Sequence, residues 1–247
     1  MTFQKRRLKI LQLLDQTGDA DVHVLSDELG ISEITVRRDL NRMAEDGMIF
    51  RTHGGAMKLD QATLKSFENK AAVNLKAKDK ICRKAAEEIR DGDIIFMDCG
   101  STVFRLCQFI SNKNIRVITN SLPIVYELLN SSVSINLIGG ELDAKRQAVH
   151  GKIAEEHVAR YQANKAFLGA DGISINGLFA NSESEASMTL AFAARAKTAY
   201  LLCDASKIGI ETYLKFSGLN LIQTLITDSR GKKIQAFKKK GLIVLSA

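Results

Sequence analysis

The sequence predicts an α/β protein with an N-terminal winged helix-turn-helix and a larger domain built on a mostly parallel sheet. Three observations support this fold class. Residues 1–57 combine helical periodicity with a basic third helix and a glycine-containing turn. From about residue 76, short apolar runs alternate with amphipathic stretches. A chain of 247 residues has room for one small domain and one of ordinary size.

The first two helices are predicted from apolar spacing and capping residues. Leu8, Leu11 and Leu14 share one face of the segment FQKRRLKILQLLDQTG, which we expect to be the first helix. The segment DVHVLSDELG follows, and Asp21 can cap a second helix that Gly30 ends. A tight turn then leads to a third helix.

The third helix, which we expect to begin at Ser32, is unusually rich in Arg and hydroxyl groups. We expect Ile34, Leu40 and Met43 to face the core. Two short helices joined by a short turn, the second of them basic, are typical of a helix-turn-helix whose second helix enters the DNA major groove. Arg can bridge two acceptors of guanine, and Ser and Thr can contact bases or phosphates. The candidate DNA-binding residues of this helix are Ser32, Thr35, Arg37, Arg38 and Arg42.

The segment MIFRTHGGA, residues 48–56, has the pattern of a two-stranded wing. Its two glycines are expected to permit the positive φ of a hairpin turn. Arg51 and His53 are expected to be exposed near that turn and to join the candidate DNA-binding residues. The alternative, an amphipathic helix pair with a solvated basic face, does not account for the wing. We therefore predict a winged helix-turn-helix over residues 1–57.

Composition excludes several classes of protein. No run of 18 apolar residues is present, so we predict a cytoplasmic protein with no membrane partner. The four cysteines are scattered without a CxxC motif, which predicts neither a zinc site nor a disulfide framework. No GxGxxG or GxxxxGK[ST] motif is present, and we predict no cofactor. The net charge of +7 favours nucleic acid, yet residues 1–58 hold nine basic and nine acidic residues. DNA affinity must then depend on charge placement and on dimerisation.

The second domain is predicted from the alternation of strands and helices over residues 76–247, after a linker at 58–75. Helical patterns separate most of the apolar runs, for example at 80–89, 103–110 and 186–194. This alternation implies right-handed crossovers and a mostly parallel sheet covered on both faces. The apolar runs are 94–98, 115–119, 133–138, 165–170, 199–203, 224–228 and 242–245.

Polar residues and glycines follow the carboxyl ends of five of these runs. In an open α/β sheet such ends line one crevice, where ligands bind. Amides of a helix beginning near Ser101 would attract phosphate, and Lys207 adds a positive charge. Asp98 and Asp171 can accept hydrogen bonds from sugar hydroxyls, so the pattern predicts a phosphorylated sugar or polyol. Taken singly, several of these residues also fit a structural role, as an N-cap or a turn. The candidate effector-binding residues are Asp98, Gly100, Ser101, Thr102, Asn120, Ser121, Gly139, Gly140, Asp171 and Lys207.

Residues 6–40 resemble the N-terminal pattern of the DeoR family of bacterial transcription regulators. In that pattern an Arg and spaced aliphatic residues lead to the motif Ser-x-x-Thr-Val-Arg-Arg-Asp-Leu, which is present here at 32–40. RTHGGA at 51–56 resembles the stretch from the wing to the linker in the family. The segments DCGST (98–102), FLGADGIS (167–174), SESEA (182–186) and CDASKIG (203–209) are similar to motifs of the family's C-terminal sensor domain.

The resemblance implies a sensor domain with a ribose-5-phosphate-isomerase-like fold that binds phosphorylated sugars or their catabolic products, and it adds Glu185 to the effector-binding candidates. It implies a repressor of a carbohydrate-utilisation operon rather than an enzyme. The segment GLFANSESEA lacks the Thr-Pro that often precedes the acidic pair in the family. Because one module contacts only a short DNA site, we expect a homo-oligomer, a dimer or a tetramer, on a repeated or palindromic double-stranded DNA operator.

Two alternatives remain at this point. A sugar-phosphate isomerase would use carboxylates such as Asp98, Asp171 or Glu185, together with Lys207, to transfer protons between carbons. A sensor that has lost its ligand would remain bound to DNA constitutively. The N-terminal winged helix disfavours the first alternative, and the retained Asp, Ser-Thr and Lys residues disfavour the second.

Overall fold

The computed structural model describes residues 1–45, 48–52, 54–58 and 67–247, which form two compact units, Met1–Lys76 and Ala77–Ala247. Of the predicted linker at 58–75, the structure describes residue 58 and residues 67–75, of which 67–72 form a helix. The elements of the N-terminal unit are α1 (Phe3–Thr17), β1 (Asp19–Asp21), α2 (Val22–Leu29), α3 (Glu33–Glu45), β2 (Ile49–Arg51), β3 (Gly55–Lys58) and α4 (Phe67–Ala72).

The second helix and the turn after it form as their capping residues predict. The Asp21 side chain accepts a hydrogen bond from the backbone N–H of His23 at 2.7 Å. Gly30 ends α2 in the left-handed conformation, with φ of 62°. Such a φ is strained for residues with a Cβ, so the glycine sets the angle at which the chain enters α3.

The inward face of α3 differs from the predicted one at one position. Leu40 and Met43 are buried as expected, but the third inward residue is Val36. Ile34 is 80% exposed, so its predicted place in the core is wrong. Positions 36, 40 and 43 are spaced by four and three residues, which aligns them on one helical face, and Ile34 lies outside that face. In α1 likewise, Ile10 and Leu14 are buried whereas Leu8 is exposed.

The wing is formed by β2 and β3, which join β1 in an antiparallel sheet of order β1-β3-β2. The reason for its glycines differs from the predicted one, because neither Gly54 nor Gly55 has a positive φ. Gly55 is instead required by close packing, since a Cβ at this position would lie 2.0 Å from the carbonyl oxygen of Ala20. Packing against the short strand β1, which was not predicted, therefore explains why position 55 in the wing is a glycine.

A buried ion pair joins the first helix to the third. Arg6 on α1 donates from Nε and Nη2 to the two carboxylate oxygens of Asp39 on α3, at 2.5 and 3.1 Å. A third donor of the same guanidinium, Nη1, bonds the carbonyl oxygen of Met1 at 2.6 Å. This two-pronged geometry restrains α3 more than a single contact would. Its exposed face is thereby held in one orientation relative to α1.

The elements of the second unit are α5 (Leu75–Glu87), β4 (Ile94–Met97), α6 (Ser101–Phe104), α7 (Cys107–Ile110), β5 (Arg116–Thr119), α8 (Leu122–Leu128), β6 (Ser134–Leu137), β7 (Glu141–Asp143), β8 (Ala148–His150), α9 (Lys152–Val158), β9 (Ala163–Leu168), β10 (Gly172–Ser174), β11 (Gly177–Ala180), α10 (Glu183–Ala194), β12 (Ala196–Leu202), β13 (Leu214–Ser217), β14 (Thr224–Thr227), α11 (Lys232–Lys239) and β15 (Ile243–Ser246). Helix α5 begins two residues before this unit does. Each of the seven predicted strands is present.

The seven predicted strands form one parallel sheet of order β15-β14-β12-β9-β4-β5-β6. Successive residues of a strand point to opposite faces, so Phe96 and Leu168 pack into one core, while Ile95 and Phe167 pack into the other. The antiparallel hairpin β7-β8 and the small sheet β10-β11-β13 were not predicted. Within the described residues, no helix is long and apolar enough to cross a membrane.

The strand order reverses at the centre of this sheet. From β4 the chain adds β5 and β6 on one side, and it then returns to add β9, β12, β14 and β15 on the other. In open α/β sheets, ligands bind outside the carboxyl ends of the strands at such a reversal. We call the region at the ends of β4 and β9, formed by residues 98–102 and 169–172, the switch crevice.

The ion pair between Arg6 and Asp39 yields a stability prediction. Asp39→Ala should lower the free energy of unfolding of the N-terminal unit by about 3 kcal/mol, because it leaves a buried guanidinium without its carboxylate. Urea titration followed by circular dichroism measures this change. As a control, Asp15→Ala removes the exposed ion pair with Lys58, whose atoms lie 2.7 Å apart, and should cost less than about 1 kcal/mol. Equal losses in the two variants would contradict the prediction.

Candidate DNA-binding surface and effector crevice

The exposed face of α3 begins with two hydroxyl residues. Ser32 caps the helix, since its Oγ lies 3.4 Å from the backbone nitrogen of Thr35 and 3.0 Å from the Thr35 hydroxyl. One turn later, Arg37 pairs with Glu33 at 2.8 Å. Arg38 is exposed, and its guanidinium forms no hydrogen bond or ion pair with any residue that the structure describes. Of the two adjacent arginines, Arg38 is therefore the one whose guanidinium is not engaged by another described residue.

The other two basic candidates that the structure describes connect elements of the N-terminal unit. Arg42 lies over the ring of Phe3, 4.3 Å from the ring centroid, and so links α3 to α1. Arg51 donates from Nε to the side chain of Asn41 at 3.0 Å and from Nη1 to the carbonyl of Gly55. Its expected exposure is wrong, because this side chain is half-buried between wing and helix. Burial, and secondarily the charge of Arg37, lower the pKa of Arg51. His53 lies outside the described residues.

The switch crevice is organised by the carboxylate of Asp98, directly after β4. It accepts hydrogen bonds from the backbone of Cys99 at 2.7 Å, the backbone of Gly169 at 3.2 Å and the hydroxyl of Thr189 at 2.9 Å. Burial raises the pKa of Asp98, against the effect of these donors. Gly100 and Gly169 approach so closely that a Cβ on either would lie 3.4 Å from the Cα of the other. Asp98 thus connects the ends of β4 and β9 with α10.

Ser101 and Thr102 begin α6, beside the same strand end. This helix has four residues, so its dipole contributes less than the sequence analysis supposed. A positive charge is nonetheless present, because Lys78 of α5 is only 3% exposed and donates from Nζ to the Ser101 hydroxyl at 3.2 Å. The Thr102 hydroxyl is buried, with no hydrogen-bond partner among the described residues. Sequence analysis missed Lys78 because it stands among several lysines in an amphipathic segment.

Asn120 and Ser121 follow β5 and bond to the β8 segment. The amide nitrogen of Asn120 donates to the carbonyl of Val149 at 2.9 Å, whereas its buried amide oxygen has no partner in the described parts of the chain. Ser121 is the N-cap of α8 and forms a β-bridge with Ala148. Both residues are fully buried. They bring the end of β5 into contact with β8, which the sequence pattern did not connect.

His150, the last residue of β8, is a further buried polar residue that sequence analysis missed. Its Nε2 lies 4.0 Å from the sulfur of Cys99, directly after Asp98. Its Nδ1 is buried and has no hydrogen-bond partner in the ranges that the structure describes. Burial lowers the pKa of His150, and the opposing effect of Asp98 is smaller. The Nδ1 atom of this buried imidazole, beside the carboxyl end of β4, could therefore form a hydrogen bond with a ligand.

Lys207, after β12, lies in an acidic environment. Its Nζ donates to the carbonyl of Ala170 at 2.7 Å, which ties it to the chain after β9. Burial alone would lower the pKa of Lys207, but the charges of Asp204, Asp171 and Glu185 outweigh it and raise that pKa. The lysine is therefore charged, and it is close enough to both acidic candidates to interact with them.

Glu185 forms an ion pair that the sequence analysis did not foresee. Its Oε2 lies 3.0 Å from Nη2 of Arg146, a residue of the loop between β7 and β8. Both side chains are largely buried. The charges of Arg146 and Glu185 also act on the Cys99 thiol, whose pKa is raised chiefly by burial. Arg146 is thus a third basic residue at the switch crevice, after Lys78 and Lys207.

Two candidate glycines follow a more distant strand, although one of them, Gly140, packs against His150 of this cluster. Gly139 and Gly140 follow the edge strand β6, two strands from β4 and thus about 10 Å away. The backbone N–H of Gly139 donates to the His157 imidazole at 3.1 Å, and Gly140 packs against the backbone of His150 with a φ of 152°. Their contacts are those of a turn leading into β7. The remaining effector candidates come together around the ends of β4, β5, β9 and β12.

Comparison with known proteins covers both units. Residues 6–62 match the family model described as DeoR-like helix-turn-helix domain, and residues 73–229 match the DeoR C terminal sensor domain. A weaker likeness joins the chain to a solved ribose 5-phosphate isomerase A of Methanocaldococcus jannaschii. That likeness has a TM-score of 0.40 and 18% identity over 54% of each chain.

Several curated relatives match over nearly their whole length. The lactose phosphotransferase system repressor of Streptococcus mutans is 33% identical over 99% of this chain and 100% of its own. The transcriptional regulator GlpR of Haloferax volcanii is 31% identical over 91% of this chain and 89% of its own. The L-fucose operon activator of Haemophilus influenzae is 32% identical over 89% of each chain. Because these relatives are regulators, the isomerase alternative loses its support. The resemblance drawn from the sequence motifs is confirmed: this chain belongs to the DeoR family of DNA-binding transcriptional regulators.

Proposed function

We propose that the protein represses a carbohydrate-utilisation operon in the cytoplasm and that a phosphorylated sugar in the switch crevice controls it. The observation that carries this proposal is a set of three buried polar atoms in the second unit. Thr102 Oγ1, Asn120 Oδ1 and His150 Nδ1 have no hydrogen-bond partner within the described residues. Each buried polar atom without a partner lowers the stability of the folded protein by about 1–3 kcal/mol. A ligand that forms hydrogen bonds with these atoms would recover that free energy on binding.

Three basic side chains around the crevice could bind the phosphate of such a ligand. Lys78, Arg146 and Lys207 reach the crevice from three different elements, and a phosphate accepts hydrogen bonds from ammonium and guanidinium groups alike. Asp98 already accepts three hydrogen bonds and would hold the strand ends in place. Asp171 and Glu185 would accept bonds from sugar hydroxyls. The combination of cations with carboxylates fits a ligand that has both a phosphate and a polyol part.

The relatives support the carbohydrate part of the proposal through their names. Those named above include a repressor of a lactose phosphotransferase system and an activator of an L-fucose operon. We infer a comparable role for this chain, as a repressor, from the repressors named among its relatives. A homo-oligomer is part of the proposal, because residues 1–58 carry equal numbers of basic and acidic residues and one module offers few phosphate contacts.

Helix α5 is the element through which the ligand would affect DNA binding. It begins at Leu75, and it bonds α6 and the residue that follows α6 at several points. Besides Lys78, the Cys82 thiol contacts the carbonyl of Thr102 at 3.0 Å, and Asp79 pairs with Arg105 at 2.7 Å. A ligand that moves Ser101 or Thr102 would therefore move α5. Such a shift alters DNA affinity only if the ligand binds two states of the protein unequally.

The arginines of α3 provide the first test of this proposal. Arg38→Ala should weaken operator binding most, by about 1–3 kcal/mol if Arg38 contacts a base, whereas Arg37→Ala should reduce affinity for all sequences alike. Fluorescence anisotropy with operator and random duplexes separates the two effects. Lys239→Ala, which removes one exposed cation from α11, is the control and should change neither affinity. Unchanged operator binding in both arginine variants would show that α3 does not contact DNA.

The buried hydroxyl of Thr102 yields a second prediction. Thr102→Val keeps the shape of the side chain but removes a buried hydroxyl without a partner in the described residues, so the free energy of unfolding without ligand should rise by about 1–3 kcal/mol. The rise in melting temperature caused by sugar phosphates should nonetheless shrink, because a ligand stabilises only the state that it binds. Differential scanning fluorimetry measures both quantities.

Thr189→Val is the matched control, because the same substitution there removes a hydroxyl that donates to Asp98. This variant should unfold more easily without ligand, by about 1–3 kcal/mol. A Thr102→Val protein with an undiminished response to every effective sugar phosphate would count against the proposed site.

Lys207 provides a test of signalling. Lys207→Ala should bind operator like the wild type in the absence of effector, yet require a higher effector concentration to respond. The reason is that the Lys207 ammonium would donate hydrogen bonds to the phosphate or hydroxyls of the effector, and the variant lacks this group. Lys233→Ala is the control, since Lys233 also donates to a backbone carbonyl, that of Ile208, at 3.2 Å. Gel-shift titrations that give the same effector concentration for wild type and Lys207→Ala would refute this role.

A further inference from the structure

The most exposed large apolar side chain in the described part of the molecule is Ile34. It belongs to the first turn of α3, the helix that carries Arg37 and Arg38. Isolated apolar residues are common on protein surfaces, so exposure alone assigns no role to Ile34. Its position on the helix is what distinguishes it from the other exposed apolar residues of this unit.

Ile34 shares its helical face with both arginines. Residues three and four apart are neighbours on a helix, so Ile34 lies beside Arg37 and Arg38. The inward residues Val36, Leu40 and Met43 occupy the opposite side. Recognition helices contact base edges with their N-terminal residues. Ile34 therefore lies on the face that carries the arginines, at the end of the helix from which recognition helices contact base edges.

The major groove offers an apolar group to such a side chain at one base only. Guanine, adenine and cytosine present hydrogen-bond acceptors and donors there, whereas thymine also presents its C5-methyl group. We propose that Ile34 packs against the C5-methyl of a thymine in each operator half-site and thereby helps to select that base. This inference depends on DNA binding by α3 and is independent of the effector.

Deoxyuridine provides a probe that differs from thymidine only by the missing methyl group. The operator duplex is first selected from random DNA by the full-length protein, and each thymine is then replaced singly by deoxyuridine. Dissociation constants are measured by fluorescence anisotropy for the wild type and for Ile34→Ala. Because Ile34 is exposed, the variant should have the melting temperature of the wild type, which is measured in parallel.

At one thymine in each half-site, the replacement should weaken wild-type binding about fourfold, the effect of one buried methyl group. The same replacement should leave the affinity of Ile34→Ala unchanged. Leu8→Ala, which truncates an exposed apolar residue of α1, should retain the wild-type sensitivity. The inference is overturned if Ile34→Ala is as sensitive as the wild type at every thymine, or if no thymine methyl affects wild-type binding.

Discussion

The carboxylate of Asp98 is the interaction on which the arrangement of the second unit depends. It lies where the strand order reverses, and its three donors come from the end of β4, the end of β9 and α10. A buried carboxylate is tolerated only when such bonds compensate for the lost hydration. Because the donors come from different elements, the carboxylate holds them at fixed distances. The close approach of Gly100 and Gly169 follows from the same geometry.

Polar groups without partners lie near these strand ends. Thr102 Oγ1, Asn120 Oδ1 and His150 Nδ1 belong to three different segments, and none has a hydrogen-bond partner within the described residues. The three basic residues Lys78, Arg146 and Lys207 are each held by a bond to a neighbouring element. The proposed effector would therefore bind here with little cost of ordering side chains. The bond of Lys78 to Ser101 also connects the crevice to α5.

The sequence predicted the parallel strands well because each of them is a short apolar run between amphipathic segments. It also located Asp98, Ser101, Asn120 and Lys207 correctly at strand ends, since parallel strands place these ends at one edge. Arg146 and His150 could not be recognised, because a hairpin without apolar periodicity brings them to the crevice. Sequence order likewise does not show that β1 packs against Gly55.

The prediction for Ile34 failed for a different reason. Apolar residues at 34, 36, 40 and 43 allow two helical faces, and the sequence analysis assigned Ile34 to the inward one. The ion pair of Asp39 with Arg6 shows which face is inward, because it requires position 39 to point toward α1. Ile34 then lies on the opposite side with the arginines. The sequence contains both partners, but their separation of 33 positions gives no local signal.

The most direct test of the account is the operator affinity of the wild-type protein, measured with and without sugars. Dissociation constants would be compared for a panel of phosphorylated sugars and for the same sugars without phosphate. The account predicts that at least one phosphorylated sugar changes operator affinity by about fivefold or more, and that its unphosphorylated form does not. Identical operator affinity in the presence of every phosphorylated sugar, or an equal response to the unphosphorylated forms, would contradict it.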